Sequence, residues 1–330
     1  MPARFASAAL ATAAALLGLA ATQPALAADA DAYPAKSVRI VVPFPPGGSN
    51  DLVARVLAQK LTEKTGQAFI IDNRAGAGGN VGADVVAKSE PDGYTLLLTA
   101  SPPLTSNIAL YGKMSFDPAK AFAPVSLVAT VPIVLVAHPG AGISNVGELV
   151  AKAKARPGAL NFASSGNGST NHLAGELFKR RAGIDITHIP YKGAAPALND
   201  VLGGQVPMMF DNLPALLPHI RGGSIKALAV AGSTRAAALP EVPTIAESGY
   251  PGFDAAAWFG LVAPARTPPA VLNKLQADVK QILANPDVRK RFEELGAEPG
   301  TLSGDAFGSF IGTETTKWVA VVKESGARAD

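Results

Sequence analysis

Two glycine-rich loops in this sequence have the composition of anion-binding sites. Residues 43–51 read Pro-Phe-Pro-Pro-Gly-Gly-Ser-Asn-Asp, and residues 164–171 read Ser-Ser-Gly-Asn-Gly-Ser-Thr-Asn. Glycines allow main-chain N–H groups to point at a ligand, and prolines stiffen the approach to the first loop. Each loop lies between a predicted strand and a predicted helix, whose first turn offers unsatisfied N–H groups and a positive partial charge. Two such helix starts facing one cleft would hold a molecule with two carboxylates without any lysine or arginine.

The candidate ligand-binding residues come from these loops and from three nearby positions. They are Phe44, Pro46, Gly47, Gly48, Ser49, Asn50 and Asp51 in the first loop; Ser165, Gly166, Asn167, Gly168, Ser169 and Thr170 in the second; and Ser101, His172 and Asp211. Ser101 and Asp211 each follow a predicted strand. Asp211 and its neighbour Asn212 are candidates to face the cleft, where Asp211 would receive a ligand ammonium or hydroxyl group. The alternatives are a plain connection for either loop, a turn residue for Asp211 and a capping or packing role for His172.

Catalytic, metal and cofactor sites are not indicated. Residues 73–82 are glycine-rich, but a dinucleotide fingerprint would need glycine where Val81 stands, so we interpret this segment as a tight turn leading into a helix. The four histidines are too scattered for a zinc helix, and no Gly-x-Ser-x-Gly elbow occurs. The absence of cysteine excludes disulfides, thiolate zinc sites and cysteine nucleophiles. We therefore expect no catalytic residue, no metal and no cofactor.

Composition and the first residues indicate an exported globular protein. Of 330 residues, 48% are hydrophobic and 17% charged, which fits a packed chain with more than one lobe. The formal net charge is only +3, without a Lys/Arg block, so a nucleic-acid partner is not implied. Arg4, an Ala/Leu-rich run over residues 8–21 and Ala25-Leu26-Ala27 form a secretory signal, with cleavage expected after Ala27. The run is shorter than a membrane span needs, so a transmembrane anchor is the less favoured interpretation.

Strand and helix patterns alternate along the rest of the chain. Strands are predicted at residues 38–44, 68–72, 95–100, 125–130, 133–137, 160–163, 186–190, 206–210, 226–231 and 259–263. Helices are predicted at residues 51–61 and 170–181, followed by three C-terminal helices that begin after a cap at Thr267, at Pro286 and at Ser303. This alternation predicts an α/β fold with mainly parallel sheets, one over residues 38–130 and one over 133–248. We favour a core position for Trp258.

Several of these segments resemble the Bug/TctC-type binding proteins of tripartite tricarboxylate transporters. The matching segments are residues 43–48 with Asp51, 73–80, 91–95, 165–169 with His172 and Leu173, 190–193, and 242–244 with Glu247. Ala121 and Ile108 depart from the family pattern but lie away from both loops. The resemblance implies a type II periplasmic binding protein fold, in which two α/β lobes enclose a ligand cleft and move about a hinge. It implies a first lobe at residues 33–131 and 250–330, a second at 132–249, and a signal peptide at 1–27.

The same resemblance implies the function. The chain would be a monomeric periplasmic receptor that captures a small carboxylate and passes it to membrane transporter subunits. Di- and tricarboxylates, acidic amino acids and aromatic acids all fit such a cleft. The alternative is a periplasmic sensing module that presents its ligand to a signalling receptor, and an enzyme acting on a small acid is the least favoured hypothesis.

Overall fold

A computed structural model describes residues 33–329, so the predicted cleavage site after Ala27 lies outside the described residues. The strands are β1 (Val38–Val42), β2 (Phe69–Asn73), β3 (Thr95–Ala100), β4 (Phe122–Val131), β5 (Ile133–Ala137), β6 (Asn161–Ser164), β7 (Thr187–Pro190), β8 (Met208–Asn212), β9 (Lys226–Val230), β10 (Ala257–Pro264) and β11 (Glu298–Pro299). All ten predicted strands are confirmed. The two-residue β11 was not predicted, because so short a strand carries no alternation of apolar and polar residues.

The helices fill the connections between these strands. They are α1 (Ser49–Thr65), α2 (Asn80–Ala87), α3 (Asn107–Leu110), α4 (Pro118–Ala121), α5 (Val146–Ala155), α6 (Thr170–Ala182), α7 (Ala194–Leu202), α8 (Leu213–Arg221), α9 (Pro269–Ala284), α10 (Pro286–Leu295) and α11 (Gly304–Ser325). The predicted cap at Thr267 is wrong. Pro268 holds the N-cap position of α9, and the Thr267 hydroxyl donates instead to the Pro264 carbonyl at 2.8 Å. Within residues 33–329, no helix is both long and apolar enough to cross a membrane.

The strands form two mixed sheets, one in each half of the molecule. The first has the order β11-β4-β10-β3-β1-β2 and the second β7-β6-β8-β5-β9. In the first sheet β10 runs antiparallel to β3 and β4, and in the second β5 runs antiparallel to β8 and β9. The other pairings are parallel except that of β11, so most strands in each sheet share one direction, in line with the expected α/β fold.

Two of the reversed strands, β5 and β10, arrive from the other sheet, whereas β11 follows α10 within the first half of the molecule. Only Pro132 separates β4 in the first sheet from β5 in the second, and β10 re-enters the first sheet after β9 in the second. Each therefore enters its new sheet from the end opposite to its neighbours. The chain crosses between the sheets at these two points, as the resemblance implied. The exact lobe limits at residues 131 and 249 stay a prediction.

The C-terminal helix α11 is anchored on β10 by buried tryptophans. Glu314 accepts a hydrogen bond from the indole N–H of Trp258 at 3.0 Å and from that of Trp318 at 2.9 Å. Trp258 also packs edge-on against Phe307 and is 2% exposed, so it is a core residue, as favoured from the sequence. These contacts hold α11 against the first sheet, which carries the first glycine-rich loop.

Candidate ligand-binding site

Both glycine-rich loops connect a strand to a helix, as predicted. The first leads from β1 to α1, whose N-cap is Gly48, a residue with no side chain to cover the free N–H groups of the first turn. The second leads from β6 to α6, where the Ser169 hydroxyl accepts a hydrogen bond from the His172 N–H at 3.2 Å. A third turn of the same design leads from β7 through Gly193 into α7. Three helix N-termini from the two sheets are thus available to one cleft.

A cavity between the two sheets is lined by all three turns. This first cavity has an empty volume of about 480 Å³, part of it open to solvent. Its lining comprises Phe44, Pro45, Gly48, Ser49, Asn50, Ala100, Pro102, Ser165, Ser169, Thr170, Asn171, Gly193, Ala194, Asp211, Asn212 and Phe259. A second cavity of about 930 Å³ adjoins it and shares Phe44, Pro45, Ser165, Ser169 and Gly193. The second cavity is also lined by Lys192 and by the turn at residues 75–79.

The two walls of the cleft are in contact, so the structure is a closed arrangement. The hydroxyls of Ser101 and Thr170 lie 3.2 Å apart across the cleft, and the Ala215 N–H donates to the Ser49 hydroxyl at 3.3 Å. At Gly193 there is no room for a side chain, because an added Cβ would lie 2.8 Å from Cγ of Pro45 in the first loop.

Asp51 stabilises the first loop and does not line either cavity. Its carboxylate accepts hydrogen bonds from Gly47 N–H at 3.0 Å, Asn73 Nδ2 at 3.0 Å and Arg55 Nε at 2.8 Å. Burial alone would raise the pKa of Asp51, but the bonds from Arg55, Gly47 and Asn73 together lower the pKa below its usual value. Asn73 also donates to the Phe44 carbonyl at 3.1 Å. The ionised Asp51 therefore fixes the backbone that presents Gly48.

A stacked pair of histidines, of which His172 is buried and His188 is half-buried, supports the second loop. His172 Nδ1 accepts a hydrogen bond from Gly168 N–H at 3.1 Å, and its ring lies 3.9 Å from that of His188. His188 Nε2 is 2.6 Å from the hydroxyl of Ser164, which also accepts from Gly166 N–H. Burial lowers the pKa of His172 to about 4 and that of His188 to about 3, so both rings are neutral near pH 7. His172 thus has the packing role that the sequence left as an alternative.

Asp211 lies at the end of β8 and is 1% exposed. Its Oδ1 accepts hydrogen bonds from Asn171 Nδ2 at 2.5 Å and from Asn212 N–H at 2.8 Å. Burial raises the pKa of Asp211 to about 7, although the bonds from Asn212 and Asn171 act in the opposite direction. Asp211 is therefore close to the midpoint of its titration at neutral pH.

Several polar atoms on residues of the first cavity lack a hydrogen-bond partner. Among the buried side chains of residues 33–329, they include both amide atoms of Asn50, Oδ1 of Asn171, Oδ2 of Asp211 and Oδ1 of Asn212. Unpaired buried polar atoms are rare in folded proteins, because each costs about 1–3 kcal/mol. Their concentration around one cavity indicates a site that a polar ligand completes.

The structure divides the predicted site residues into three groups. Phe44, Gly48, Ser49, Asn50, Ser165, Ser169, Thr170 and Asp211 line the first cavity, Gly166 and Asn167 line the second, and Pro46, Gly47, Asp51, Ser101, Gly168 and His172 line neither. Asn212, named beside Asp211 as a candidate to face the cleft, also lines the first cavity, and the lining residues that were not predicted are Pro45, Ala100, Pro102, Asn171, Gly193, Ala194 and Phe259. Pro45 and Asn171 belong to the two predicted loops. The third turn could have been predicted from its sequence, because Gly193 also lies between a predicted strand and a helix. For Phe259, inside a buried strand, the local sequence offers no signal.

The chain is similar to known proteins along most of its length. A family model described as tripartite tricarboxylate transporter family receptor matches residues 53–327. Protein BugT of Bordetella pertussis is 44% identical over 300 residues, which cover 91% of this chain and 92% of that protein. The solved structure of R. palustris Rpa4515 with adipate is 40% identical, with a TM-score of 0.87, and the match covers 90% of this chain and 99% of that one. MatC from Rhodopseudomonas palustris with bound malate is 35% identical, with a TM-score of 0.83 and coverage of 88% and 100%.

Proposed function

Because the chain belongs to the family of tripartite tricarboxylate transporter receptors, we propose that it captures a small carboxylate in the periplasm and delivers it to the membrane subunits of such a transporter. Proteins of this family are periplasmic solute-binding receptors, and the two-lobed α/β fold expected for them is confirmed by the solved relatives. Adipate and malate, bound by two of these relatives, are small dicarboxylates. The proposal assigns binding, and no chemical step, to the cleft.

The observation that carries this proposal is the convergence of three helix N-termini on the first cavity. Gly48, Ser169 and Gly193 precede α1, α6 and α7, and all three line the cavity. Free N–H groups at a helix start bind a carboxylate without a cationic side chain. A charge-assisted hydrogen bond contributes about 1.5–3 kcal/mol. Four to six of them support roughly micromolar binding once the cost of ordering the ligand is subtracted.

The contacts between the walls suggest how capture is coupled to closure. Ser101 and Ser49 of the first half meet Thr170 and Ala215 of the second, and these contacts exist only while the cleft is shut. A ligand that bonds to both walls favours the closed state by its differential affinity for that state. The membrane subunits would then recognise the closed form.

The experiment that tests the proposal is a thermal-shift screen of the exported protein against mono-, di- and tricarboxylates, amino acids and aromatic acids. A ligand at 100 times its dissociation constant adds about 2.7 kcal/mol of stability, which raises the melting temperature clearly. Mass spectrometry of the denatured protein first identifies any acid retained from the cell. If no carboxylate binds or is retained, the proposal is wrong.

A substitution in the first loop tests whether that loop belongs to the ligand-binding site. We expect Gly48→Val to weaken binding at least tenfold, because its side chain fills the space where the ligand approaches the backbone, 3.9 Å from Ala194. Gly112→Val is the matched control, since an added Cβ there meets nothing within 4 Å.

A deletion strain separates transport from sensing. If the protein serves transport, uptake of the identified acid should be lost in a strain that lacks it. Normal uptake with lost gene induction would support a sensing role instead.

A further inference from the structure

One pole of the first cavity is formed by side-chain oxygen atoms that accept hydrogen bonds when Asp211 is ionised. Asn171 Oδ1, Asp211 Oδ2 and Asn212 Oδ1 are buried and unpaired within the described part of the chain, and all three residues line the cavity. Asn171 and Asp211 are 2% and 1% exposed. Bulk water therefore does not satisfy these oxygens in the closed form, and a donor inside the cavity is needed.

The hydrogen bonds around Asn171 determine which of its amide atoms is free. Its Nδ2 donates both to the Ser165 hydroxyl at 3.0 Å and to Asp211 Oδ1 at 2.5 Å. If the amide were turned over, its oxygen would face the carboxylate oxygen of Asp211, and two acceptors would repel each other. The free atom of Asn171 is therefore the acceptor, next to the free oxygen of Asp211.

The charge of the cavity points to the same conclusion. Among the described residues that line the first cavity, Asp211 is the one ionisable side chain, and none is lysine, arginine or histidine. Lys192 lines the adjoining second cavity. A buried carboxylate without a cation is costly, so a positively charged group on the ligand would stabilise Asp211.

The opposite pole of the cavity suits an anion. Gly48 caps α1 without a side chain and has an ordinary φ of −78°, so the N–H groups of the first turn of α1 are accessible. A ligand that satisfies both poles carries a carboxylate for α1 and hydrogen-bond donors for the Asp211 pole. An ammonium group has three N–H donors and a positive charge, which match three acceptor oxygens and one acidic group.

We infer that the acid captured by this protein is an amino acid, whose ammonium group donates to Asp211, Asn171 and Asn212 while its carboxylate lies at the N-terminus of α1. This inference rests on the proposed function and narrows the class of ligand. The ligand would carry one carboxylate and one ammonium group, instead of a carboxylate at each of the two loops. Asp211 is then the residue that discriminates amino acids from acids of the same shape that lack the amino group.

The test compares matched ligands on the unaltered protein. The pairs are aspartate with succinate, glutamate with glutarate, and phenylalanine with 3-phenylpropionate, each measured by calorimetry after removal of any retained ligand. We expect an amino member to bind about 10–100-fold more tightly than its partner, which corresponds to one charge-assisted bond of about 1.5–3 kcal/mol. Asp211→Asn, which keeps the shape and removes the charge, should abolish that preference. Asp254→Asn, at a partly exposed ion pair with Lys317 away from the cavity lining, is the matched control and should preserve it.

The outcomes separate this inference from the proposed function. Equal or tighter binding of the amino-free member in the pairs that bind overturns the inference and leaves the carboxylate receptor intact. If none of the six acids binds, the wide screen decides: a hit that bears an ammonium group supports the inference, and one that does not overturns it. Failure of every carboxylate in that screen removes the proposed function and the inference together.

Discussion

Asp211 is a buried acid whose position is unfavourable for folding and useful for binding. Its environment raises its pKa to about 7, chiefly by burial, whereas the pKa of Asp51 in the first loop is lowered by its hydrogen bonds. Ionisation of Asp211 therefore destabilises the folded protein, whereas ionisation of Asp51 stabilises it. Strongly perturbed pKa values concentrate at functional sites, which supports a binding role for Asp211 and a supporting role for Asp51.

The first prediction concerns the stability of the ligand-free Asp211→Asn variant. Because the folded state holds the Asp211 proton more tightly than the unfolded chain, the stability contributed by the neutral acid is present at pH 4 and is lost as the pH rises towards and past 7. One pKa unit corresponds to about 1.4 kcal/mol, and about 1 kcal/mol shifts the melting temperature of a domain of this size by about 2–4 °C. We expect the variant to melt several degrees above the unaltered protein at pH 8, and the difference to shrink towards pH 5.

Thermal unfolding at pH 5, 6.5 and 8 checks this prediction. The pKa of Asp211 is raised by burial and lowered in part by its hydrogen bonds with Asn212 and Asn171. The pKa values of His172 and His188, about 4 and 3, leave both rings neutral over this pH range. Asp51→Asn is the control of opposite sign. It should lower the melting temperature, because the ionised Asp51 is the stabilising form. The raised pKa of Asp211 would be contradicted if the melting temperature of Asp211→Asn, taken relative to that of the unaltered protein, were lower at pH 8 than at pH 5.

At the scale of elements, periodicity and loop composition predicted the strands well but not their directions. The apolar sequence of β5 is compatible with both a parallel and an antiparallel sheet. The strand is antiparallel to its neighbours because the chain crosses there from the first sheet to the second, and the local sequence does not encode that crossing. The same limit applies to the site. The strand-to-helix loops were visible in the sequence, but the direction of Phe259, which faces the cavity from β10, depends on how the second half of the chain returns to the first sheet. Asn171 was visible in the second loop, yet its role depends on contact with Asp211, 40 positions away.

The turn before α7 gives the second prediction, because Gly193 is required by both conformation and space. It has φ of +119°, and an added Cβ would lie 2.8 Å from Cγ of Pro45 across the cleft. We expect Gly193→Ala to weaken ligand binding about tenfold or more, since the clash exists only when the walls meet and therefore disfavours the closed state. Calorimetry with the acid found in the screen, together with the melting temperature, measures both effects.

Gly249→Ala separates the clash from the conformational strain. Gly249 has a similar φ of +106°, but an added Cβ there meets nothing within 4 Å. This control should lose stability to a similar extent and keep its affinity. Equal affinities of the two variants would show that the contact between Gly193 and Pro45 does not govern closure.

At the scale of the whole molecule, the two halves touch through polar groups at the cleft and through helices that pack together, α6 on α11 and α8 on α1 and α10. Two hydroxyl contacts bridge the cleft, while Arg180 on α6 hydrogen-bonds the main chain of Glu324 near the end of α11. Interfaces of this kind are consistent with motion about the two crossing points near Pro132 and before β10. A ligand that bonds to both walls would add to these contacts and shift the molecule towards the closed arrangement, which makes closure measurable.

The last prediction uses the absence of cysteine from the sequence. The side-chain oxygens of Ser101 and Thr170 lie 3.2 Å apart across the cleft, so the sulfur atoms of cysteines at these two positions would meet in the closed arrangement. In a Ser101→Cys, Thr170→Cys variant the disulfide can form only when the cleft is closed. If the closed state is populated to 10% or less without ligand, a saturating concentration of the acid identified in the screen should speed oxidation about tenfold. Thiol titration measures the rate, each single variant controls for intermolecular bonding, and the reduced double variant must first be shown to bind the acid. Oxidation at the same rate with and without bound acid would mean that the ligand does not drive closure, whereas acceleration would show that the acid itself holds the two walls together.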